Sequence, residues 1–327
     1  MNHLIAEFIN TPWAIEPRRL SIMSAVLARW AAGGHAGDDV MAAAHADRAA
    51  TTARRGEASR AGGNSIAVLP LYGTIAQRAS AVDDASGTGL MSLDRFTQTF
   101  RTMLGDPAVG GILIDIDSPG GSVYGVQELH AEIMAARGKK PVFAVANCVA
   151  ASAAYWLGTA ASEFYVTPSG EVGSIGVFSA HTDMSAALAK QGINTTLVSA
   201  GKYKTEGNSF EPLGKDARAA LQSRIDGYYA SFTRDVARGR AVDAASVRNG
   251  FGQGRMVTAS DAARAGMVDG VATFDEALSR LQKTASNGGQ RTARMGVAAP
   301  LRSGNTALLR RELELLEASI CTKLGKS

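Results

Sequence analysis

The sequence predicts an α/β fold with a mostly parallel sheet and crossover helices, and three observations lead there. Strand-like runs alternate with helical stretches from Ser65 onward. One of the runs, GGILIDID, reads as a buried strand. The tight SPGGSV turn follows it at once, in a chain of 327 residues that holds 36 glycines and only 6% aromatics.

In chain order, residues 17–31 read as a short amphipathic helix, with Pro17 in its first turn and Leu20, Met23, Leu27 and Trp30 at helical spacing. An Ala-, Gly- and charge-rich linker follows. SIAVLPLYGTI reads as a strand broken by Gly73, and RASAVDDASGTGLMS as polar turn. LDRFTQTFRTMLGD is a helix with Phe96, Phe100 and Leu104 on one face. GGILIDID stops at the SPGGSV turn, VYGVQELHAEIMAARG is the next helix, and KPVFAVAN the next strand, ending at Asn147. VAASAAYWLGTAA reads as a small-residue helix. EFYVTP, GSIGVFSA and NTTLVSA read as strands between turns and a helical TDMSAALAKQG. A long helix, KDARAALQSRIDGYYASFTRDVARGR, precedes a closing helix, short strand and helix. Residues 284–305 read as linker, and TALLRRELELLEASICTKL as a leucine-striped helix that could pair with another copy or stand alone.

The net charge of +4 resides in the tail, where seven basic residues face three acids from residue 284 onward. This argues against a nucleic-acid-binding surface and fits either a solvated tail or contact with an acidic partner. Cys148 and Cys321 form no disulfide or zinc spacing, which suits a reducing cytosol. There is no long apolar run for a membrane span and no signal-peptide pattern at the start. His35 and His45 have no partner ligands, so neither a metal nor a cofactor is expected.

Two strand ends could carry chemistry. At DSPGGSV, Gly120 and Gly121 let backbone N–H groups approach a ligand closely, although a plain tight turn explains them equally well. At ANCVAASAAYWL, Ser152 opens a helix among alanines, which leaves its hydroxyl reachable beside unpaired N–H groups. An ordinary N-cap serine satisfies the same pattern.

Strand, SPGG turn, helix, strand and a helix opening AAS-small-small-Tyr, followed by GSIGV and SAGKYKTEGNSFEPL, resemble peptidase family S49, the signal peptide peptidase A group, with its ClpP/crotonase-like fold. The likeness covers roughly residues 65–283. It implies Ser152 as nucleophile, Lys204 as general base, and the N–H of Gly120 or Gly121 with that of Ala153 as oxyanion hole. A neutral lysine can activate a serine hydroxyl once burial or a neighbouring cation favours its uncharged form. Relatives usually carry Ser-Gly-Gly-Tyr where this chain has Ser152-Ala153-Ala154-Tyr155, so substrate preference is less defined than activity. The expected organisation is an N-terminal helical segment (1–32), a linker (33–64), a peptidase domain (65–283), a second linker (284–306) and a C-terminal helix (307–327).

Other candidates fit less well. Ser174 lies in a strand-like context, Ser118 is placed to bond the Gly-Gly turn, and Lys202 would face away from Lys204 on an extended segment. His130 and His181 have no paired carboxylate for a triad. Within the family, the opening TPWAIEPRRLSIMSAVL resembles tailed-phage head maturation proteases. That branch implies scaffold, portal or capsid proteins as substrates, a homo-oligomeric ring with shared active sites, no nucleic acid or membrane partner, and a place in the host cytoplasm with the immature capsid. The alternatives are a soluble bacterial signal-peptide-peptidase-like enzyme, a crotonase-type acyl-CoA enzyme, or a non-catalytic scaffold or head protein.

Overall fold

The computed structural model describes residues 12–17, 65–78 and 90–297, with side chains as far as 287. The helix expected beyond Pro17, the 33–64 linker, most of the polar stretch before Leu90 and the C-terminal helix lie outside the described residues. The chain divides into two compact units, Met1–Ala285 and Ser286–Ser327, and the elements that position the site belong to the first.

Strand β1 (Trp13–Ile15) comes first, then β2 (Ser65–Tyr72), β3 (Thr74–Ala76) and β4 (Leu90–Ser92). Helix α1 (Leu93–Gly105) starts at Ser92, whose side chain accepts from the Arg95 N–H, and buries Leu93, Phe96 and Phe100. Each of these side chains contributes about 1.5–3 kcal/mol on burial. Next are β5 (Val109–Ser118), β6 (Gly120–Ser122), α2 (Val126–Ala136), β7 (Val142–Ala151) and α3 (Ala153–Gly158). β8 (Glu163–Val166), β9 (Glu171–Gly173), α4 (Ser185–Lys190), α5 (Lys215–Arg240) and α6 (Ala244–Gly250) follow. The last elements are β10 (Met256–Thr258), α7 (Ala259–Arg264), β11 (Gly270–Val271) and α8 (Phe274–Val297).

Seven strands form the main sheet, with path β10-β9-β7-β5-β2 and β8 and β11 attached beside β7. Every pairing in it is parallel except β10 with β9. Side chains alternate between its faces. Ile112, Ile114, Ile116, Ala144 and Ala146 join the larger core, while Leu113, Phe143 and Val145 meet Leu278 and Leu281 of α8 on the other side. Coverage of both faces agrees with the reading of GGILIDID as a buried strand.

A smaller sheet, ordered β1-β6-β3-β4, crosses the end of β5. In it β1 runs antiparallel to β6, with Ile15 opposite Gly120 and Trp13 opposite Ser122. Just before the helix expected from Pro17, residues 13–15 thus form a buried strand.

Three expectations are corrected. β7 does not end at Asn147. It continues to Ala151, passing from β8 (Phe143–Ala146) to β9 (Val149–Ala151) through a kink where Cys148 takes φ 103°. NTTLVSA forms no strand; residues 194–200 are exposed along their whole length. Helix α8 persists to Val297, through the first part of the stretch read as linker.

Candidate active site

Ser152 lies between the end of β7 and the start of α3, where the strand must turn directly into a helix. Its backbone takes φ 55° and ψ −116°, a region glycine prefers. Such a conformation costs on the order of 1–3 kcal/mol and persists only where the surroundings enforce it. Here they do: the Ser152 N–H bonds the Gly173 carbonyl at 2.7 Å, and the Trp156 N–H bonds the Ser152 carbonyl at 2.9 Å. The rest of α3 is anchored deeply. Trp156 stacks on Phe232 of α5 with centroids 4.5 Å apart, and its indole N–H donates to Asp235. Arg137 donates to the carbonyls of Thr159, Ala160 and Ala161 just beyond the helix.

The N-cap explanation of Ser152 does not hold, because its side chain makes no capping bond. Instead Oγ points toward the Gly176 carbonyl at 3.4 Å. The residue is fully buried in the chain.

The glycine turn meets this serine. β5 shifts register after Ile116 so that Ser118 pairs with Ala150, which brings SPGG alongside the end of β7. Gly120 has φ 89°, and a Cβ there would lie 2.8 Å from the Ala151 carbonyl and 3.0 Å from the Ala153 nitrogen. Any side chain would therefore close the gap between the SPGG turn and α3. A Cβ on Gly121 would be 2.0 Å from the Ile75 carbonyl, so close strand packing alone demands that glycine. Ser118 bonds the turn as expected, donating to the Gly73 carbonyl at 2.6 Å and accepting from the Gly120 N–H at 3.2 Å. The Ala153 N–H, at the first position of α3, has no hydrogen-bond partner among the described residues. Gly120 and Ala153 thus meet beside Ser152, whereas Gly121 serves the sheet.

Lys204 stands apart. It lies in a run of turns, Lys202–Gly207, with its N–H on the Gly201 carbonyl at 3.2 Å and its side chain exposed. No hydrogen bond joins it to Ser152 within the chain. The extended-segment argument against Lys202 is corrected, since the segment is coiled; Lys202 Nζ sits over the Tyr203 ring at 4.8 Å. Ser174 is buried with φ 53°, its N–H on the Arg255 carbonyl.

Neither histidine forms a triad. His130 is fully buried in α2, with both ring nitrogens lacking a hydrogen-bond partner among the described residues. Burial first, then the nearby Arg238 and Arg137 guanidinium groups, lower its pKa to about 3. The His181 ring bonds the Asn208 carbonyl at 2.8 Å. Among the described residues no cluster of His, Cys, Asp or Glu is placed to hold a metal, and no helix is long and apolar enough to cross a membrane.

Sequence reasoning missed the part played by β1. Trp13 exchanges backbone hydrogen bonds with Phe178, its N–H donating at 2.8 Å and its carbonyl accepting at 3.0 Å. The strand thus lies between β6 and the segment that follows β9, whose Gly176 carbonyl faces Ser152 Oγ. Three apolar residues between Pro12 and Pro17 were its only signal.

A strained serine between strand and helix, beside glycine-turn and helix-start amides, is a framework suited to a serine hydrolase. Residues 135–287 match the model of peptidase family S49. The chain is 40% identical over 173 residues to capsid assembly protease C of Escherichia phage lambda, covering 53% of this chain and 39% of that protein. It is 38% identical over 183 residues to head-tail preconnector protein GP5 of Enterobacteria phage P21, covering 55% and 36% respectively. The chain therefore spans well under half the length of these two relatives. A ClpP1 mutant from Listeria monocytogenes aligns in structure over 64% of this chain and 94% of its own, with 16% identity and a TM-score of 0.40.

Proposed function

We propose that the chain is a serine endopeptidase in which Ser152 is the nucleophile and Lys204 of a neighbouring copy is the general base. The observation that carries this reading is the strained, uncapped Ser152 beside the free Ala153 N–H and Gly120. Oγ attacks the scissile carbonyl, forming an O–C bond, while the lysine amine takes the hydroxyl proton. The amides of Ala153 and Gly120 receive the oxyanion, the latter by leaving Ser118. Collapse breaks the C–N bond, and the proton passes from lysine to the departing amine. Water, deprotonated by the same amine, then hydrolyses the acyl-enzyme and frees Ser152.

The base must come from outside the chain because a lysine abstracts a proton only as the uncharged amine, a form favoured by withdrawal from water. In the single chain Lys204 is exposed, in a segment whose residues 191–204 are all exposed. A ring in which each copy covers its neighbour's 193–210 segment supplies that cover. The phage relatives' names, capsid assembly protease and head-tail preconnector, support scaffold, portal or capsid proteins as substrates, cut within an immature capsid in the host cell.

Co-expression with a candidate scaffold tests this directly. Wild type is expected to generate scaffold fragments, while Ser152→Ala and Lys204→Ala each lower cleavage about 10⁴-fold or more. Co-assembled at equal ratio, the two inactive variants should recover activity at about a quarter of the sites, as random pairing in a cyclic assembly requires. If the mixture stays inactive although both variants assemble, the shared site is wrong.

A further inference from the structure

β1 fills a slot with two walls, and both walls begin at the candidate catalytic groups. One wall is β6, which starts at Gly120. The other is the segment from Gly176 to Phe178, which starts at the carbonyl that Ser152 Oγ contacts. Pro12–Glu16 runs between them fully extended. The Val123 N–H donates to the Pro12 carbonyl, the Glu16 N–H donates to the Pro119 carbonyl, and Trp13 exchanges its pair of bonds with Phe178. Strand addition of this kind is how extended peptides are held in many clefts. Main-chain bonds supply the grip, and pockets for individual side chains supply the choice.

The register brings the strand close to the chemistry. The Ala14 carbonyl lies 2.3 Å from the point where a Cβ on Gly120 would sit, and the Ala153 nitrogen lies 3.0 Å from that same point. A peptide carbonyl of β1 therefore occupies the neighbourhood of both proposed oxyanion donors. The side chains on either side are sheltered: Trp13 is 7% exposed, Ala14 0% and Ile15 2%.

We infer that Pro12–Glu16 is a resident pseudosubstrate. The slot it fills is the peptide cleft of the Ser152 site, and the substrates that displace it are extended segments bearing a large apolar, a small and a β-branched residue in succession. This rests on the reading of Ser152 as nucleophile. A strand in the same chain competes at an effective concentration of up to the order of mM, so a free substrate at micromolar level is excluded until the strand leaves.

The test reads binding alone, so it succeeds or fails independently of catalysis. The full chain carries Ser152→Ala and a foreign protease site within residues 33–64. A fluorescent peptide matching residues 11–17 is added before and after cutting, and its anisotropy is followed. The uncut chain should not bind it, and the cut chain freed of its N-terminal fragment should. Aspartate in place of the peptide's Ala14 should weaken binding at least roughly tenfold, because a buried carboxylate has no partner there. A cut chain that remains folded by circular dichroism yet ignores the peptide overturns the inference. So does a chain that unfolds when the fragment departs, since a resident ligand can leave. Should the fragment stay bound, Trp13→Ala in the uncut chain decides: roughly tenfold better peptide capture supports the slot, and unchanged capture overturns it.

Discussion

Residues 142–175 and residues 176–216 are neighbours in sequence and opposites in structure. The first stretch contains β7, α3 and a large share of the central core; Ala144, Ala146, Ala150, Ala151, Ser152 and the whole of α3 are buried. In the second no residue is buried, and large apolar side chains face water, among them Ile193, Leu197, Val198, Tyr203 and Phe210. One half fixes a serine in a costly backbone conformation. The other presents a lysine on a surface with no core beneath it. A chain built this way fixes Ser152 by its own packing and leaves Lys204 exposed.

The largest expected effect comes from the exposed half. Val198 is 94% exposed, so replacing it changes little in the isolated chain, within about 0.5 kcal/mol. If it packs against a neighbour, Val198→Asp buries a charge and should break the assembly. Sedimentation should then show small species, and cleavage should fall by more than roughly tenfold at unchanged melting temperature. Intact assembly with full activity in this variant would show that the apolar surface around Val198 is not the interface.

The buried half has its own weak point, which sharpens the contrast. His130 is held neutral in the fold, with a pKa of about 3 against an ordinary value near 6.5. Below pH 6.5 the unfolded chain binds a proton that the folded chain refuses, so stability falls as pH drops from 6.5 toward 3 and is unaffected by this group above 6.5. The slope approaches about 1.4 kcal/mol per pH unit within that window. His130→Leu, similar in volume and without a titrating group, should flatten this part of the stability profile measured by urea unfolding. Because Arg137 and Arg238 both disfavour the protonated ring, an unchanged slope would mean that acid destabilises the protein elsewhere.

The same contrast explains what could be read from the residues alone. β5 and β7 were legible because a strand covered on both faces is mostly apolar, as GGILIDID and KPVFAVAN are apart from their ends and Asp115. Ser152 was legible as a candidate, but not as strained or uncapped, since its φ is imposed by Gly173 and the anchoring of α3. The extension of β7 past Asn147 was hidden because the Cys148 kink has no local code. NTTLVSA has strand-forming residues and forms no strand: residues 194–200 are all exposed, and strand propensity reflects packing against neighbours that they do not have. β1 was missed for the opposite reason. Three residues are too few to show a period, and its partners lie more than a hundred positions away at Gly120–Ser122.

The smallest expected effect tests whether the serine's backbone is truly strained. Replacement by alanine removes Oγ but keeps the Cβ, and so keeps the cost of φ 55°. Replacement by glycine releases that cost, about 1–3 kcal/mol, while adding about 0.5–1 kcal/mol of unfolded-state freedom. The two terms oppose, and the first is larger. Ser152→Gly should therefore be more stable than Ser152→Ala by on the order of 1 kcal/mol in paired denaturant titrations, although both lack Oγ. The packing around Tyr155 and Trp156 is identical in the two variants, so the difference isolates the backbone at a single residue. An alanine variant as stable as the glycine one would mean that the turn between β7 and α3 accommodates a Cβ at no cost, and that the buried half holds its serine by packing alone.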